Sequence, residues 1–64
     1  MIETHVTVTH KLRTIKAGVI YHDVDRFGNP LFIAERHASG DVFPFHTYGG
    51  ALLWCQLDGI LRGK

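Results

Sequence analysis

Residues 47–62 form the stretch that most restricts the fold, because read as a helix they carry more apolar surface than one small sheet can cover. At ~100° per residue, Leu53, Trp54, Leu57, Ile60 and Leu61 fall within an arc of roughly 120°, the width of a core-facing stripe. Ala51, Leu52 and Cys55 lie off that arc, beside Gln56, Asp58 and Arg62. The helix is therefore expected to bury the first set and to leave the second set facing outward, where a partner or another copy of the chain covers it.

A chain of 64 residues makes one domain, 1–64. Folding at this size buries only about 60% of the surface that the unfolded chain exposes, so the core needs a supplement. A disulfide cannot supply it, since Cys55 is the single cysteine, and no Cys-rich cluster is present to hold a structural zinc. Association of copies or unusually regular packing are the remaining devices. The first residues lack the basic start and apolar run of a signal peptide, and the longest apolar run, 51–55, is too short for a bilayer. A cytoplasmic protein with no membrane contact is expected. Seven Lys or Arg against six Asp or Glu give no strong polyanion binder, although Lys11, Arg13 and Lys16 cluster with His10 near the start.

Residues 2–12 alternate apolar and polar with period two and are rich in Val and Thr, which predicts a strand with one buried face. Residues 13–18 break the pattern at Gly18, and the first turn is expected somewhere in that stretch, with Lys16 or Ala17 able to belong to the strand. Residues 19–24 read as a second strand. Residues 25–30 hold Asp, Gly, Asn and Pro between two apolar runs, as a hairpin loop does. Residues 31–37 read as a third strand and 38–41 as a turn. Pro44 confines any fourth strand, within 42–45, to a sheet edge. Thr47 is placed to cap the helix and Gly63 to stop it. The fold class is α+β: a small three- to four-stranded antiparallel sheet with one C-terminal helix packed on one face.

The chemistry-bearing residues point away from catalysis. Residues 23–28 open like a calcium loop, with carboxylates at the first and third positions and Gly at the sixth. The match then fails, with Phe27 at the fifth position and Ala34 at the twelfth, so these residues read as a hairpin loop. Of the five histidines, His5 and His10 point to opposite faces of one strand. His22 and His37 are the pair able to approach across the hairpin, where Asp23 or Glu35 would orient one of them. Cys55 sits in apolar sequence, where burial makes a thiol inert. Ser39, the only serine, lies in a turn. The expectation is no enzyme, no metal and no cofactor.

Two binding roles remain. In the first, the chain is a non-catalytic, self-associating module that contacts protein through Leu52, Cys55, Phe43, Phe45 and Tyr48, since Phe32 or the Phe43 and Phe45 pair is left on the uncovered sheet face. Small chains of this kind occur among phage and mobile-element regulators and inhibitors of host proteins. In the second, the sheet binds DNA through Lys11, Arg13, Lys16, Arg26 and Arg36. The inferred order of strands and helix resembles, in topology only, AP2-type domains and the arm-binding domains of some integrases, whose sheets enter the major groove.

Overall fold

The computed structural model describes residues 2–62, apart from the side chains of His10 and Arg62; the expected helix stop at Gly63 lies outside the described residues. Four strands, β1 (Ile2–His10), β2 (Arg13–Val24), β3 (Pro30–Arg36) and β4 (Val42–Phe45), precede one helix, α1 (Tyr48–Arg62). All strand pairs are antiparallel and the order in space is β1-β2-β3-β4. The α+β class holds, with the fourth strand present and Pro44 on the edge strand, opposite Ile33.

The first hairpin differs from the sequence reading. Its turn is Lys11-Leu12, with φ of 51° and 65°, six residues before Gly18. Positive φ at both central residues suits the right-handed twist of a two-residue hairpin, a conformation usually assigned to Asn-Gly rather than Lys-Leu. Gly18 instead lies inside β2, opposite Val6 on one side and Arg36 on the other. It is glycine because of close approach. A Cβ there would fall on the Glu35 carbonyl oxygen and within 3.0 Å of Cys55 Sγ. Register slips between Val6 and Thr7, which makes Ala17 the extra residue of a β-bulge and explains two consecutive buried residues, Ala17 and Gly18.

The second hairpin is built as its composition implies. Asp25 Oδ1 accepts hydrogen bonds from the Phe27 and Asn29 amides at 2.9 and 2.8 Å, and Gly28 supplies a φ of 84°. The carboxylate shapes the loop. These amides, that of Asn29 foremost, hold the Asp25 carboxyl below its usual range. At the helix start, Thr47 Oγ1 accepts the Gly50 amide at 3.2 Å, the expected cap.

Register assigns the sheet's faces. Thr4, Ile20, Ala34 and Phe43 form one cross-strand row under the helix, and Ile2, His22, Phe32 and Phe45 form the next. Glu3, Tyr21, Ile33 and Pro44, with His5, Val19, Glu35 and Val42, form the open face. Phe32, Phe43 and Phe45 thus share the helix side, and neither aromatic set is left on the uncovered face. That face carries Tyr21, whose hydroxyl donates to Glu35 Oε1 at 3.5 Å; the neighbouring carboxylate, with lesser help from burial and Glu3, raises the phenol pKa.

The core consists of Val6, Ala17, Ile20, Ala34, Ala51 and Cys55, all at most 3% exposed, flanked by Val8, Phe32, Phe45, Leu52 and Trp54. The helix is therefore turned about half a rotation from the sequence expectation. Ala51, Cys55, Asp58 and Gly59 face the sheet, whereas Leu53, Leu57, Ile60 and Leu61 face out. Small side chains on the sheet, Ala17, Gly18 and Ala34, let the helix backbone come close, and only a small helix face fits against them. At Gly59 a Cβ would already lie 3.1 Å from Ala17 Cβ and 3.2 Å from Val8 Cγ2.

Candidate protein-contact surface

With its small face against the sheet, α1 presents an apolar stripe to solvent. Leu53 is 56% exposed, Leu57 48%, Ile60 40% and Leu61 67%. Lone exposed hydrophobes are ordinary, and Ile2, Leu12, Val24 and Phe27 are of that kind, spread over a strand start, a turn, a strand end and a loop. Four large aliphatic residues on one helix face are contiguous.

Arg36 on β3 links the sheet to the helix in this orientation. Its Nη2 donates to the Trp54 carbonyl oxygen at 3.2 Å, its guanidinium carbon lies 3.9 Å from the centre of the Trp54 ring, and its Nε is 3.9 Å from Asp58 Oδ1. Asp58 is 7% exposed, so this ion pair is largely withdrawn from water. Such a pair adds little net stability over an apolar equivalent, but turning the helix so as to break it would leave a buried charge unpaired.

The five expected contact residues are divided by this packing. Cys55 is fully buried, and its thiol lies 3.9 Å from the Glu35 carbonyl oxygen, to which it donates. Desolvation pushes its pKa up, with Arg36 opposing and Asp58 adding. Leu52 packs on the core, and Phe45 is half-buried against Trp54, ring centres 5.7 Å apart. Cys55 is thereby corrected from surface to core, and Leu52 to the core's margin, because the helix face they occupy is the one small enough to approach the sheet. Phe43, 52% exposed, and Tyr48 do reach the surface. Phe43 stacks near Phe45 and Trp54, and Tyr48 lies against His22 and Phe32.

The basic set does not share a face. Lys11 and Arg13 stand at the β1–β2 turn, Lys16 on β2, and Arg26 in the loop at the other end of β2. The molecule measures 42 × 17 × 16 Å, and twelve residues of strand separate these ends by roughly 40 Å. Arg26 leans over Phe27, 5.8 Å from the ring centre. Arg36, expected on a DNA-facing sheet, is instead spent on Trp54 and Asp58 beneath the helix.

Histidines are likewise dispersed. His22 Nε2 lies 2.8 Å from Thr4 Oγ1, His5 lies 3.5 Å from Glu3 and His46 lies 3.6 Å from Asp25. His22 is opposite Phe32, and the His37 amide donates to the Ala17 carbonyl, so the two rings do not meet across the hairpin. Among the described residues no three His, Cys, Asp or Glu side chains converge, no pocket opens, and no helix is long and apolar enough to cross a membrane. No protein-family model, curated protein or solved structure matches the chain.

The sequence reading missed Leu53, Leu57, Ile60 and Leu61 as surface residues. A signal was present in Ala51, Cys55 and Gly59, small residues four apart that mark the face able to approach closely.

Proposed function

We propose that this chain is a non-catalytic binding module that acts by protein–protein contact, through the outward face of α1. The observation that carries the reading is the stripe Leu53, Leu57, Ile60 and Leu61, left open while the opposite helix face is fully engaged with the sheet. Burying such a surface yields about 25 cal/mol per Å², and leaving it in water forfeits that stabilisation. Phe43, on the neighbouring edge strand, supplies an aromatic of the kind that anchors interfaces. A non-catalytic role draws support from Cys55, the one strong nucleophile, being buried with its thiolate disfavoured. A nucleic-acid partner draws less support, because four of the five basic side chains are divided between the two ends of the molecule and the fifth, Arg36, is held under the helix.

A photoreactive amino acid placed at position 57 tests the reading in the cell that makes the protein. Adducts are expected from position 57 and not from position 14, an exposed site on β2. Equal labelling from both positions, or none from position 57, overturns it.

A further inference from the structure

We infer that the occupant of this surface is a second copy of the chain, laid helix against helix in antiparallel sense about a two-fold axis near Leu57; the inference rests on the docking role given to α1 above. Leu53, Leu57 and Ile60 are spaced four and then three residues apart, the spacing with which one helix presents a continuous seam to another. An antiparallel copy centred on Leu57 brings Leu53 of each chain beside Ile60 and Leu61 of the other. Large side chains then meet large ones, and the surface is its own complement, as a two-fold interface requires.

Charge does not oppose the same occupant. Between Tyr48 and Leu61 the only charged residue is Asp58, which is 7% exposed and turned to Arg36. Two copies therefore meet across this stretch without like charges opposed, and the stripe offers no charge by which a differently charged partner would be selected. Direction follows from the helix ends. The first turn of α1 has no acidic residue, so nothing within it offsets the partial positive charge there. Antiparallel pairing sets that end beside the partially negative end of the other helix.

The area is adequate at the lower limit. From their fractional exposures the four aliphatic side chains offer on the order of 400 Å² per copy and Phe43 about 100 Å² more, so two copies bury about 1,000 Å² in all, the least that a specific interface shows. The need is evident in the core, where four of the six buried apolar residues are Ala or Cys. A second copy would extend that core across the helix.

Sedimentation over a wide concentration range is expected to show a dimer. Leu57→Glu, which sets two carboxylates face to face at the axis, is expected to weaken it about a hundredfold or more while the circular dichroism of the fold is retained. Leu57→Cys guards against a variant that fails to fold. Mild oxidation should link its introduced thiols across the axis, whereas Thr14→Cys should remain unlinked and the buried Cys55 should not compete. A monomer at every concentration, a dimer indifferent to Leu57→Glu, or linkage at position 14 as readily as at 57 would overturn the inference. Photoadducts from position 57 that contain only other proteins end self-pairing and leave the docking role standing, whereas no adduct ends both.

Discussion

Replacing a glycine by alanine at two places in this chain should move stability in opposite directions. At Gly18 a Cβ would overlap the Glu35 carbonyl oxygen and press on Cys55 Sγ at 3.0 Å. The first neighbour is backbone and the second is fixed by the helix, so relief requires β2 and β3 to separate or α1 to lift. Overpacking of this kind costs about 1–3 kcal/mol, and the upper end applies where backbone must shift. Alanine recovers only about 0.5–1 kcal/mol relative to glycine within a strand, leaving a net loss near 2 kcal/mol. For 64 residues the whole stability is about 3–10 kcal/mol, and each kcal/mol is worth roughly 4–8 °C in Tm. Gly18→Ala should lower Tm by about 10 °C or more. At Gly49, in the first turn of α1, a Cβ meets nothing within 4 Å, so Gly49→Ala gains helix propensity alone, up to about 1 kcal/mol, and should raise Tm by a few degrees. Calorimetry or thermal circular dichroism on both variants gives the answer. A Gly18→Ala melt within about 3 °C of the parent would refute the close seating of the helix on which the outward stripe depends.

The Arg36–Asp58 pair gives a second expectation: Asp58→Ala should cost about 1–3 kcal/mol in urea unfolding, and Arg36→Ala/Asp58→Ala less than the two single changes together, because the single change strands a buried charge. Additive losses would show that the pair is not coupled. Asp25 governs part of the acid response. Its folded pKa is below the unfolded value of about 3.9, so its stabilisation is complete above that value and is lost as the pH falls through the lowered folded one. Asp25→Asn should therefore flatten the fall in Tm below about pH 4, and an unchanged acid limb would count against the loop hydrogen bonds. Finally, Cys55 should react with iodoacetamide only as fast as the protein opens, and it should accelerate in urea in step with unfolding; rapid alkylation of the native chain would place the thiol on the surface.

Much of the sheet was legible because its signals are local. Alternation marked β1, the Asp-Gly-Asn-Pro content of residues 25–30 marked the second hairpin, and Pro44 marked an edge. The first turn was hidden, since Lys11 and Leu12 carry no turn chemistry and adopt positive φ only because the flanking strands impose it. Gly18 misled for the complementary reason. Its missing side chain serves a contact with β3 and α1, which no neighbouring residue reveals. The contact surface failed at one step, the assumption that the most hydrophobic helix face is the buried one. Helix seating here is decided by size, through Ala17, Gly18 and Ala34 beneath Ala51, Cys55 and Gly59, and by Arg36 reaching Asp58. The same contact removed Arg36 from the basic set, an outcome invisible until β3 and α1 are placed together.

The element order has a consequence for how the chain comes to be folded. Each strand's neighbour in space is its neighbour in sequence, so the sheet closes through short loops and should form quickly, whether on the ribosome or after dilution from denaturant. Its inner face, with Ile20, Phe32 and Phe45, nevertheless has no cover until the helix, the last element, is available. During synthesis the nascent sheet therefore exposes apolar surface while residues 48–62 are still unmade. A ribosome stalled in that interval holds a sticky intermediate, and a chaperone that shields nascent chains has its greatest effect there.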